Sequence, residues 1–185
     1  MMTPDEVLQF WFAGDPSKRR KVWFEMNSNF DATCGRFSNA LRAAKAGVFD
    51  HWTGTPHGAL ALTILLDQFS RNLHRGSPEA FAADAQARAI ARTAIAKGFD
   101  QMLGPIERAF VYLPFEHSEN IEDQDESVRL LGTLRETWGA DAIDYAHRHR
   151  DVIRRFGRFP HRNAVLGRVN TPAEEAYLAE PDAGF

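Results

Sequence analysis

Thr55-Pro56-His57-Gly58-Ala59-Leu60-Ala61-Leu62-Thr63-Ile64-Leu65-Leu66-Asp67-Gln68-Phe69-Ser70-Arg71-Asn72-Leu73 is the stretch whose reading decides the fold. Thr-Pro opens a helix, because a threonine hydroxyl can cap the first turn and proline is pre-set for the first helical position. The first half is apolar on all sides, which marks a central helix covered by its neighbours. The second half changes character: Asp67 and Arg71 stand one turn apart, in line with Leu60 and Ile64. On a surface such a pair contributes roughly a few tenths of a kcal/mol. Buried, it must be fully hydrogen-bonded, and Arg71 keeps donors for a further partner.

Working outward, the N-terminal side shows two more helices. Thr3-Pro4-Asp5-Glu6 is a capping box that starts a helix carrying Val7, Leu8, Phe10, Trp11 and Phe12, and Gly14 with Pro16 stops it. These aromatics, with Trp23 and Phe24 beyond them, read as helix contacts rather than a binding platform. From Asp31 to Ala46 the series Phe30, Cys34, Phe37, Leu41 and Ala44 follows one helical face, ended by Gly47.

On the C-terminal side, Ser77-Pro78 opens a region with an Ala-rich face of Phe81, Ala85, Ala89, Ile90 and Ala94, closed by Gly98. Gly104-Pro105 begins another helix, which Pro114 is expected to break or kink just before Glu116-His117-Ser118-Glu119. Helices are expected over 127–138 and 140–155, and Thr171-Pro172-Ala173-Glu174 repeats the capping box for a short last one. Sustained two-residue alternation and Asn-Gly or Asp-Gly hairpin signals are both missing from the sequence. The expected class is all-α, one domain over 1–180 with a loose tail at 181–185.

Hydrophobic residues at 44% and charged residues at 25% match ordinary globular chains, so neither disorder nor a fibrous class is indicated. A net charge of -3 gives no global attraction to nucleic acid or to anionic membrane. Cys34 is the sole cysteine, which excludes an intramolecular disulfide, and its place in an apolar stripe reads as a small buried hydrophobe. The acidic N-terminus lacks a signal-peptide pattern, and the apolar run 59–66 is too short to span a bilayer. A cytoplasmic location is expected.

Three segments concentrate chemistry. Residues 156–163, Phe-Gly-Arg-Phe-Pro-His-Arg-Asn, place Arg158, His161, Arg162 and Asn163 between two residues that exclude a helix interior. They lie within a run from His147 to Arg168 that holds seven Arg and no Lys or Glu, a usage suited to planar recognition of carboxylate or phosphate. A solvated basic face, or Arg bonded to helix-end carbonyls, accounts for such a run equally simply. The second segment, 116–119, offers His117 and Glu119 as acid–base groups. Paired Glu-x-x-His motifs and a nucleophile elbow are both lacking, so neither a metal nor a hydrolytic serine is expected, and no cofactor is. The third segment holds Asp67, Arg71 and Asn72.

Leu66-Asp67-Gln68-Phe69, Arg71-Asn72, Arg75-Gly76, Glu107-Arg108, Tyr112 to Phe115, His117-Ser118-Glu119 and Phe156 to Asn163 together resemble the bacterial domain-of-unknown-function family nine hundred and twenty-four. Phe10-Trp11-Phe12 and Thr171 to Glu175 fit as well, and Ser70 stands where that pattern has proline. The resemblance implies an all-helical fold similar to tetratricopeptide repeats, antiparallel helix pairs stacked into a superhelix with a concave face. It implies no activity. Its motifs coincide with the three segments above, so one shared site is expected. In it Arg71, Arg158 and Arg162 would hold a small anion, Asn72 and Asn163 would orient it, Asp67 and Glu119 would line it, and His117 or His161 would move a proton. A peptide partner in the concave groove is the alternative, and RNA binding through the 147–168 arginines is the weaker third.

Overall fold

The computed structural model describes residues 2–181, 183 and 184. Its helices are α1 (Pro4–Phe12), α2 (Ser28–Cys34), α3 (Ser38–Lys45), α4 (Pro56–Ile64), α5 (Ser70–Leu73), α6 (Asp84–Ala96), α7 (Pro105–Glu116), α8 (Ile121–Gly132), α9 (Arg135–Trp138), α10 (Ala140–Phe156) and α11 (Pro172–Leu178), and no strand occurs among the described residues. The protein is all-α. Successive helices pack side by side, α4 on α6, α6 on α7, α7 on α8 and α8 on α10, which is compatible with stacked helix pairs.

The capping signals act as the sequence indicates. Thr3 accepts from the Glu6 amide while the Glu6 carboxylate accepts from the Thr3 amide at 2.8 Å, and Thr171 with Glu174 repeats the arrangement. Thr55 caps α4 by accepting from the Gly58 amide at 3.1 Å. Every residue of α4 from Gly58 to Ile64 is buried, so the helix is central. Gly58 has no room for a side chain, because a Cβ there would overlap the Trp52 carbonyl oxygen and the Thr55 hydroxyl. Gly58→Ala is expected to cost about 2–3 kcal/mol through forced backbone displacement. Denaturant unfolding of that variant is the check; wild-type stability would mean that the turn before α4 yields.

Helix α4 does not run unbroken to Leu73. Residues Leu65–Phe69 form a π-helical turn before α5, a widened turn of the kind that often carries function. The expected helix over 31–46 is also divided, by a 3-10 turn at Gly35–Phe37, although Phe30, Cys34, Phe37, Leu41 and Ala44 all remain buried. Burial and then Asp31 push the Cys34 thiol up to about 12, which keeps it unreactive. Trp11 and Phe12 sit in the core against Trp23 and Phe110, whereas Phe24 lies half-exposed beneath the Arg19 guanidinium.

The C-terminal half brings further corrections. The buried face of α6 carries Ala87, Ile90, Ala91 and Ala94, while Ala85 and Ala89 are exposed. Pro114 does not end α7, which continues to Glu116; burial of the residues from Ala109 to Phe115 outweighs the one lost hydrogen bond. The acidic stretch after Asn120 is helical from Ile121. Asn120 caps it, and Glu122 and Asp123 complement the positive end of the helix. That helix stops at Gly132, and α9 follows as a separate short element.

A large core spans α1 to α10, and a smaller one gathers Val152, Ile153, Phe159 and Tyr177 with Phe156 and Ala183. Of the tail at 181–185, Asp182 and Phe185 lie outside the described residues, and the Gly184 amide donates to the Tyr177 hydroxyl at 3.3 Å. Between the cores runs the segment 156–163. Gly157 takes φ 70°, which lets α10 end in a left-handed turn, and Pro160 opens a 3-10 turn through Arg162.

Candidate functional site

Asp67, on the π-turn, is the centre of a buried charged cluster. Its Oδ1 lies 2.7 Å from His117 Nδ1 and 3.0 Å from Arg71 Nη1, and its Oδ2 accepts from Gln68 at 2.6 Å. Arg71 Nη1 also donates to the Asp67 carbonyl, and both its terminal nitrogens donate to Asp84, at 2.9 and 3.0 Å. Burial alone would raise the Asp67 pKa, yet the contacts with His117, Arg71 and Gln68 hold it below the ordinary carboxylate value. Burial and then Arg71 lower His117, outweighing the attraction of Asp67. The imidazole is therefore neutral at pH 7, and the contact is an Nδ1–H donated to a carboxylate rather than an ion pair.

Glu116, one residue before, is buried at the end of α7, and burial, reinforced by Asp67, pushes its carboxyl up to about 8. His149 on α10 lies 3.9 Å from it, with Nδ1 against the Tyr145 carbonyl at 2.8 Å, and burial lowers its pKa well below 6.5. A carboxylate held below its ordinary pKa, two imidazoles lowered and a carboxyl raised thus share one buried region.

Arg162 enters from the 3-10 turn. Its guanidinium lies between two rings, 4.6 Å from Phe81 and 4.5 Å from Phe159. Nη1 donates to the His117 carbonyl at 3.0 Å and stands 3.8 Å from Asp84, whose oxygens Arg71 already occupies. Nε is buried without a hydrogen-bond partner among the described residues, as are Asn163 Oδ1 and Arg168 Nε in the same segment. Burial and then Arg71 pull the Arg162 pKa down to about 10. A rigid, dehydrated, under-neutralised guanidinium is the outcome.

Of the residues expected to converge, Asp67, Arg71, His117 and Arg162 are in mutual contact. His161 stands beside them, partly buried, with a pKa lowered to about 4 by burial and then Arg162. Glu119 serves the loop instead: it takes the Phe159 amide at 2.8 Å and a two-pronged bond from Arg168. Three others lie in separate networks. Asn72 donates to Asp31, shared with Arg75; Arg158 clamps Glu174 and the Val169 carbonyl; Asn163 donates to Asn170 at 2.8 Å. Arg71 has both terminal nitrogens committed within the protein, so it braces the cluster.

Asp84, Glu116 and the rings of Phe81 and Phe159 belong to the cluster without having been assigned to it from sequence. The only signal for Asp84 was an acid opening an Ala-rich helix, which reads equally as compensation of the helix dipole. Two clefts lie nearby, neither lined by the cluster. One, of about 490 Å³, runs between α6 and α8, where Arg88 and Arg92 both meet Asp123; Ser118 donates its hydroxyl to the same carboxylate. The other, of about 280 Å³, is bounded by Arg148, Arg155 and Tyr177.

The fold has a solved counterpart. A protein of unknown function from Agrobacterium tumefaciens superposes with a TM-score of 0.86 at 38% identity, over 96% of this chain and 97% of that one. Among curated proteins none matches. The family model described as "Bacterial protein of unknown function (DUF924)" matches residues 7–182, and the chain belongs to that family.

Proposed function

We propose that this protein binds a small carboxylate- or phosphate-bearing molecule, with Arg162 as the anion anchor. The supporting observation is the state of that side chain. It is 7% exposed, and its Nε–H donates to no described residue. Leaving a buried donor unmet costs about 1–3 kcal/mol, an expense that a chain selected for stability alone would shed. Two flanking rings fix the plane of the fork, so a two-oxygen anion would meet a preorganised edge with little entropy left to lose.

The other arginines of the 147–168 run are less available. Arg150 and Arg154 face Asp125, Arg158 faces Glu174 and Arg168 faces Glu119. Much of the positive charge that suggested RNA is thus neutralised within the chain.

The test is thermal unfolding with inorganic phosphate and a series of small mono- and dicarboxylates, for wild type and Arg162→Met. A ligand at a hundred times its dissociation constant stabilises by about 2.7 kcal/mol. Wild type should respond to at least one of these anions and Arg162→Met to none. Without ligand, the Met variant should melt at or above the wild-type temperature, because it removes a buried charge while Asp84 keeps Arg71. A strongly destabilised Met variant, or an anion response that survives the substitution, would assign Arg162 a purely structural role.

A further inference from the structure

We infer that His117 is a general base acting through Nε2 on an O–H group of the anion held at Arg162, with Asp67 as its positioning residue. The identity of the proton donor rests on the anion reading above; the base itself does not. Two contacts on one residue carry the inference. The imidazole is fixed from behind by Asp67 at Nδ1, 2.7 Å, and the carbonyl of the same residue accepts from Arg162 Nη1 at 3.0 Å. Anchor and imidazole are therefore held at a set spacing through one peptide unit.

The ring state suits the role. A carboxylate on Nδ1 stabilises the tautomer with the proton there and leaves the lone pair on Nε2. That nitrogen makes no hydrogen bond among the described residues, and the His117 side chain keeps 15% of its surface exposed. A histidine retained only to hold the core together would be expected to satisfy both nitrogens. Burial together with Arg71 keeps the ring unprotonated at neutral pH, as a base requires.

In the step itself, Nε2 takes the proton of a hydroxyl on the bound carboxylate or phosphate compound, or of a water beside it. The O–H bond breaks with its electron pair left on oxygen, and an N–H bond forms on the ring. The imidazolium charge is met by Asp67, and the proton later returns to the product.

The experiment combines ring nitrogen NMR of labelled full-length protein between pH 5 and 9 with diethyl pyrocarbonate modification, mapped by mass spectrometry. Expected are an Nδ1–H tautomer at pH 7 and modification of His117 at Nε2. Asp67→Asn should slow that modification about tenfold, the lower end of what losing the carboxylate behind a metal-bound histidine costs. Phosphate should protect His117 in wild type but not in Arg162→Met. An Nε2–H tautomer, an imidazolium at pH 7, or an unmodified His117 while exposed His51 and His57 react would overturn the inference. If Asp67→Asn does not fold, the wild-type spectra decide alone. Reactive Nε2 without phosphate protection would remove the anchor and leave the base; protection with the wrong tautomer would do the reverse.

Discussion

Asp67→Ala will lower the stability of this protein by about 4 kcal/mol, the scale set by breaking a buried ion pair from one side. The carboxylate is fully buried, and it compensates Arg71 and orders His117 at once. Removing it leaves Arg71 with Asp84 as its remaining carboxylate and leaves His117 Nδ1 without an acceptor. The sign with pH follows from a folded-state pKa held below the unfolded one. The stabilisation is present in full above the ordinary carboxylate range and is lost as pH falls through the folded-state value. The deficit should therefore be present in urea titrations at pH 5 and narrow toward pH 8, because wild type loses more stability there through the Glu116 carboxyl that Asp67 helps to raise. A loss of under about 1 kcal/mol, typical of exposed pairs, would show that the cluster is solvated and that its charges are weakly coupled.

The second large effect concerns Glu116, whose carboxyl stands at about 8 in the fold against an ordinary 4.5. Between those values the native state binds a proton that the unfolded chain has released, so stability falls as pH rises. At about 1.4 kcal/mol per pH unit the loss reaches roughly 3 kcal/mol by pH 7. Three histidines act the other way. His117, His149 and His161 are all lowered, so the unfolded chain binds more protons than the native state below about 6.5, and stability climbs with pH there. Wild type should peak near neutrality and then decline toward pH 8.

Glu116→Gln retains the shape of the protonated carboxyl and removes its titration. Its stability relative to wild type should grow from near zero at pH 4.5 to roughly 3 kcal/mol at pH 7, levelling off above pH 8. Parallel stability curves for the two proteins would contradict this. The effects are also linked: Asp67 is part of what raises Glu116, so the advantage of Gln should shrink in the Asp67→Ala background.

Much of the fold was legible because its signals are local. A Thr-Pro pair opens α1, α4 and α11, Gly47 and Gly98 end their helical regions, and the capping boxes close as written. Misread elements are one where packing overrode a local cue and one where a local cap outweighed an acidic composition. Pro114 stays helical because its neighbours are buried, and Ile121 begins a helix because Asn120 caps an acidic stretch. The π-turn at Leu65–Phe69 carries no local mark at all, since α and π windings of an apolar run bury the same kinds of side chain.

The site divides in the same way. Sequence alone determined that this chain is helical, that α4 is its centre, and that three segments hold unusual concentrations of chemistry; those facts follow from hydrogen bonds and side-chain faces three or four residues apart. Only the tertiary structure decided which charges neutralise one another. Arg71 is matched to Asp84 thirteen residues away, Asn72 to Asp31 at forty-one, His117 to Asp67 at fifty and Arg162 to the His117 carbonyl at forty-five. A guanidinium reads the same in sequence whether a carboxylate meets it or not, and that Arg71 is doubly matched while Arg162 Nε has no partner among the described residues follows only from how distant segments pack.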